Sequence, residues 1–157
     1  MKRKTLYLIG GSLLIVLVIV STLMTSTNNK DIETITSGGI VIEKSEITKT
    51  AMFIPFESNG TYMELIAVRA NDGTVRTALN TCQVCYNSGR GYYEQLGDVL
   101  ICNNCGNQFT IDQIELIKGG CNPVPVLEAM KSEDEESITI SIDALAEFEP
   151  LFKNWRR

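Results

Sequence analysis

No histidine occurs anywhere in this chain of 157 residues. Ser-His-Asp and Cys-His nucleophilic catalysis are therefore excluded, because both need an imidazole to take the nucleophile's proton. A histidine-ligated catalytic zinc is excluded as well. Basic residues are also short, 14 against 19 acidic, for a formal net charge of -5. Lys2, Arg3 and Lys4 lie at the N-terminus, which leaves 11 basic against 19 acidic residues in the rest of the chain. That sign does not suit a phosphate backbone, so no nucleic-acid partner is expected. It suits solubility outside an anionic membrane, and a cationic partner.

Residues 5–24, TLYLIGGSLLIVLVIVSTLM, carry no charge at all. About 20 such residues cross a bilayer core as a helix. The basic flank at 1–4 keeps the N-terminus cytoplasmic by the positive-inside bias, which places the remainder outside the cell membrane. The segment reads as an uncleaved, single-pass anchor. A cleaved signal peptide is the other reading, although STLMTSTNN offers no clear A-x-A-like site. No cysteine lies near the segment, which excludes a lipid-modified anchor. Residues 25–38, rich in Ser, Thr and Asn, read as a linker, with irregular structure packed on the domain as the alternative toward Ile35. The extracytoplasmic domain is then 39–157.

From Gly39 the pattern is β. MFIPFES (52–58) and TYMELIAVRA (61–70) flank Asn59-Gly60, a strong hairpin signal because both central residues need positive φ. The turn accounts for Asn59-Gly60-Thr61 without invoking its match to a glycosylation sequon. Asp72-Gly73 is a second turn, and TVRTALN delivers the chain to Cys82. KSEDEES (131–137) reads as a solvated hairpin tip rather than a cation site, and ITISI as a strand. In DALAEFEPLFKNW, Leu145, Phe148, Leu151, Phe152 and Trp155 fall at helical spacing. Asp143 is the expected N-cap and Pro150 the expected break. The expected fold is mainly β with a short C-terminal helix: a small β-sheet or barrel domain carrying two metal-knuckle loops, preceded by one transmembrane helix.

The chemistry lies in five cysteines, Cys82, Cys85, Cys102, Cys105 and Cys121, spaced C-x2-C-x16-C-x2-C-x15-C. A C-x2-C turn can aim both thiols at one point, and two such turns make a four-sulfur cage. Zinc, a single iron and iron–sulfur clusters all accept that cage. Gly106 directly after Cys105 suits the positive-φ step of a metal knuckle. Disulfides are the competing reading in an oxidising compartment. Five is odd, however, and a bridge within each C-x2-C closes too short a loop to stabilise much. A thiol-disulfide exchanger is a third reading, weakened because the pairs lie between β-like segments rather than at a helix start. Four thiolates close a metal's shell, whereas hydrolytic zinc keeps an open position, so no enzyme activity is expected beyond a redox role. Cys121, in GGCNP, is either a ligand beside the other four or a small buried hydrophobe. Tyr86, Tyr92, Tyr93 and Phe109 read as a small core under the metal loops. Arg90 either offsets the charge of a thiolate site or is an exposed loop residue.

TALNTCQVCYNSGRGYY, GDVLICNNCGNQFTID and GGCNPVPV together resemble the membrane iron–sulfur FtrD-like family, over about Gly39 to Leu151. The resemblance implies an iron–sulfur or other thiolate-ligated metal centre outside the membrane, with a role in redox-linked iron transport. Carried over residue by residue, Cys82, Cys85, Cys102, Cys105 and Cys121 match the family's cysteines. It also implies a membrane transport partner, an iron permease or other transporter subunit, on a separate chain. A second resemblance is architectural. Loops projecting from a small β domain are similar to Rieske and rubredoxin proteins, but Rieske centres use two histidines and rubredoxin spacing differs. The leading expectation is a membrane-anchored protein holding an iron–sulfur or single-iron centre for electron transfer or iron handling. A structural zinc ribbon in a transporter's accessory subunit is the alternative.

Overall fold

Asn59-Gly60 forms the tight turn its sequence demands, with φ of 47° and 79°. It joins β3 (Met52–Ser58) to β4 (Thr61–Arg69) in the expected register, Ser58 opposite Thr61. In the computed structural model, the described residues are Ile35, Thr36 and 38–157. The anchor expected at 5–24 lies outside them. Among the described residues, no helix is long and apolar enough to cross a membrane.

The central sheet adds β5 (Val75–Cys82) and β9 (Pro123–Pro125) to that hairpin, in the order β3-β4-β5-β9. Its middle strands are buried almost throughout, because the sheet is covered on both faces. Alternation divides their side chains between two cores. Met63, Leu65, Ala67, Val75 and Leu79 face one, with Ile40, Ile42, Ile138 and Ile140. Ile66, Val68, Ala78 and Cys82 face the other, with Tyr93, Leu100, Cys102 and Ile111.

The first core is closed by a sheet of β1 (Ile35–Thr36), β2 (Gly39–Glu43), β10 (Lys131–Glu133) and β11 (Ser137–Ser141), ordered β1-β2-β11-β10. Ile35 pairs with Ile40, so pairing reaches back into the stretch expected as linker. The second core is closed by a three-stranded sheet of β6 (Tyr93–Leu96), β7 (Val99–Cys102) and β8 (Gln108–Thr110). All three sheets are antiparallel and open, so the barrel form of the expectation is not realised among the described residues.

The C-terminal helix is shorter than its periodicity suggests. Helix α1 (Ile142–Leu145) makes one turn, and Ala146–Leu151 tightens to a 3-10 helix that includes Pro150. The cap is Ser141, whose hydroxyl accepts from the Ala144 amide, and not Asp143, which lies in the first turn. Leu145 and Phe152 reach the first core, and Phe148, Leu151 and Trp155 pack against it.

Candidate metal centre

Strand alternation sends Cys82, at the end of β5, to the face that carries Ala78 and Ile66. The chain then turns through Cys85 into a 3-10 turn, Tyr86–Ser88, ended by Gly89 at φ 75°. Gly91 allows the return, since a Cβ there would meet the Cys85 carbonyl carbon at 2.8 Å and the Tyr86 nitrogen at 2.9 Å. Cys102 ends β7, opposite Tyr93 of β6. Behind it the second knuckle closes on itself. The Gly106 amide donates to the Cys102 carbonyl at 2.8 Å, and the Cys102 amide donates to Asn107 O at 2.9 Å. Gly106 takes the positive φ expected of it, 75°. Arg90 ties the knuckles together, its Nη2 donating to Asn103 O at 3.2 Å from an exposed position.

These elements bring all five cysteines to one place. The sulfurs of Cys82, Cys85 and Cys102 lie within 4.8 Å of one another, and so do those of Cys85, Cys105 and Cys121. Cys85 belongs to both groups. All five thiols are free. Cys82, Cys85 and Cys102 are buried, Cys121 is half-buried and Cys105 is exposed. The centre is thus closed below by the second core and open on the Cys105 side.

The polypeptide arranges charge around the sulfurs. Burial pushes the Cys82 thiol up, but the Tyr93 side chain beside it and hydrogen bonds from the Cys85 and Val84 amides outweigh it, and its pKa falls below the ordinary thiol value. The Cys85 amide lies 3.3 Å from the Cys82 sulfur. Cys105 is lowered too. Burial there is outweighed by the Asn107 amide and by contacts with the Cys102, Cys121 and Cys85 sulfurs. Burial and the neighbouring sulfurs raise Cys85, and push Cys102 and Cys121 up to about 12. Each knuckle therefore holds one thiol that gives up its proton more readily than an ordinary cysteine. The remaining thiols hold their protons until a cation replaces them.

The donor set fits a thiolate-held metal. It is all sulfur, lies on an apolar floor and has amides directed at the sulfurs. Soft thiolates of this kind select iron–sulfur centres, zinc and copper(I).

Tyr93 lies at the middle of the floor, fully buried, with Phe109 edge-on at 6.1 Å between ring centroids. Tyr86 and Tyr92 are half-buried at its margin. Of the four aromatics expected under the metal loops, Tyr93 and Phe109 belong to that core, whereas Tyr92 lies edge-on to Trp155. Sequence reasoning missed what holds Tyr93. Asn80 is buried on β5 and accepts from the Tyr93 amide at 2.7 Å. Its Nδ2 donates to Glu64 Oε1 at 2.7 Å, and Glu64 pairs with Arg157. The available signal was two polar residues, Glu64 and Asn80, inside apolar strand sequences.

Fold and site together define a β scaffold presenting a cluster of cysteines able to bind metal. The sequence matches the family described as membrane iron-sulfur containing protein FtrD-like over residues 47–152. The chain belongs to that family. No curated protein matches it. Among solved structures, it is similar to the quaternary ammonium Rieske monooxygenase CntA, crystallised in complex with an inhibitor. Identity is 17% and the TM-score 0.41, over 68% of this chain and 32% of that one. The chain therefore spans about a third of that enzyme's length.

Proposed function

We propose that Cys82, Cys85, Cys102, Cys105 and Cys121 hold an iron–sulfur or single-iron centre, and that the protein uses it for electron transfer or iron handling beside a membrane transporter. The observation that carries this reading is the convergence of five free thiols, from two knuckles and a loop, on one spot with an exposed edge at Cys105. Family membership supplies the iron–sulfur and membrane context. A purely structural zinc needs four ligands and gains nothing from a fifth.

Such a centre supplies one-electron chemistry at a potential set by hydrogen bonds to sulfur and by exposure. The chain's own residues supply those settings. The Cys85 amide donates toward Cys82, the second core excludes water from Cys82 and Cys102, and Cys105 leaves one side open to a partner. In this reading the domain lies outside the cell membrane behind the anchor at 5–24, and the transport component is a separate chain.

Metal analysis and a visible spectrum of the full chain, purified in detergent without oxygen, test the proposal. Iron with acid-labile sulfide and a brown colour is the expected result. Iron without sulfide gives the single-iron form. Stoichiometric zinc in a colourless protein overturns the redox reading and leaves a structural ribbon, whose function then lies with its membrane partner.

A further inference from the structure

The loop that carries Cys121 is fixed at both ends and free between them. At its start, Glu115 sits at φ 68°, and its carboxylate accepts from the Thr77 amide at 2.8 Å and from Lys131 Nζ at 2.6 Å. At its end, Asn122 is buried and donates to Ile117 O at 2.8 Å, while Pro123 pairs with Cys82 across the sheet. Between these anchors stand Gly119 and Gly120, at φ 84° and 67°, with nothing within 4 Å of where a Cβ would be. Leu116 and Ile117 are exposed by 60% and 42%. Among the described residues, the one hydrogen bond made by the backbone of 118–121 runs from the Tyr93 hydroxyl to the Cys121 carbonyl. Asn122 Oδ1 is buried with no donor among the described residues, a cost built into the packed loop.

We infer that the Tyr93 hydroxyl is a latch that positions Cys121 as a releasable fifth sulfur donor. When its hydrogen bond to the Cys121 carbonyl breaks, the loop swings on Gly119-Gly120 and withdraws one thiol. Cys82, Cys85, Cys102 and Cys105 remain, because knuckles and strands hold them. The donor count switches between five and four, and one side of the centre opens to an incoming metal ion. Tyr93 acts here as a positioning residue. The purpose of the switch rests on the thiolate-centre reading above; the latch itself does not, and it is tested without metal.

The experiment is site-resolved iodoacetamide labelling of the reduced, metal-stripped full chain in detergent, read by mass spectrometry. Tyr93→Phe is expected to raise Cys121 labelling about tenfold relative to buried Cys102 in the same molecules. Phe109→Leu loosens packing on the ring but keeps the hydroxyl, and should leave that ratio at the wild-type value. An unchanged ratio in Tyr93→Phe overturns the latch, and so does an equal rise in Phe109→Leu. If Tyr93→Phe does not fold, the wild-type chain decides in urea below its unfolding midpoint. A Cys121 rate that stays flat while the Cys82 rate climbs shows local release, and parallel rises overturn it. Absence of iron in the purified protein would defeat the proposed function while leaving these outcomes intact.

Discussion

Asn80 is a polar residue in an apolar strand, and its side chain is fully used. Its Oδ1 accepts from the Tyr93 amide, and its Nδ2 donates to Glu64 Oε1 at 2.7 Å and reaches Tyr93 O at 3.4 Å. Its carbonyl accepts from Trp155 Nε1 at 2.9 Å. One residue thus joins β4, β5, β6 and the C-terminal segment directly under the sulfurs. Asn80→Leu keeps the approximate volume but strands the Tyr93 amide in a buried site and leaves the Glu64 carboxylate with Arg157 alone. An orphaned buried group costs about 1–3 kcal/mol, so the variant should lose about that much stability. A lowered urea midpoint at unchanged slope checks this. Gly91 is the second sensitive position. An added Cβ meets backbone atoms of Cys85 and Tyr86, which cannot rotate away. Gly91→Ala must displace the first knuckle, and the metal bound per protein should fall below that of the wild type, while variants at Gly97, where the Cβ position is open, should keep it.

At the scale of elements, the β10–β11 hairpin shows how a charged tip can be structural. Asp134 Oδ1 accepts from the Glu136 amide at 2.9 Å and the Ser137 amide at 2.7 Å, and Lys44 pairs with Glu133 beside it. The Ser137 and Glu136 amides hold the Asp134 carboxyl below its usual value. A depressed carboxylate stabilises the fold above its unfolded-state pKa, near 3.9 for Asp, and that contribution disappears as pH falls through the folded-state value. Asp134→Ala should therefore melt below the wild type at neutral pH, and the gap should close in acid. A gap of constant size across that range would show that the charge plays no part. The two long hairpin strands were legible in the sequence, because Asn59-Gly60 between two apolar runs specifies them locally. The sheet of β6, β7 and β8 was not. Its strands have three or four residues each, and two of them flank a knuckle whose geometry sets their pairing. The short C-terminal helix was legible, but its cap and its tightening were not. Its apolar spacing is real, but it serves packing on the first core through a 3-10 stretch, and Ser141 caps two residues earlier than the Asp143 expected.

The described residues build on a central sheet with two unlike faces. The first core is aliphatic and closes without any metal ligand. The second is built partly from cysteines, with Cys82, Cys85 and Cys102 among its buried members and Cys121 packed against it. The cage of Cys82, Cys85, Cys102 and Cys105 was legible because C-x2-C spacing is a local signal. The place of Cys121 was left open, since it depends on Pro123 pairing with Cys82 across the sheet. The same division sets the response to metal removal. A metal that draws ligands from β5, β7 and the Cys121 loop stabilises those segments against one another, and its binding energy is folding energy for that half. The first core keeps its own closure, so stripping the metal should lower the stability of the second half without unfolding either half. Hydrogen exchange should show faster exchange, with protection reduced but still present, in 82–110 and 116–122, and unchanged protection in β2, β3, β4 and β11. Uniform loss across all strands would mean that the two cores form one cooperative unit and that the centre supports the whole fold. Unchanged protection would mean that the thiol cluster is pre-formed and the metal is cargo on a finished scaffold.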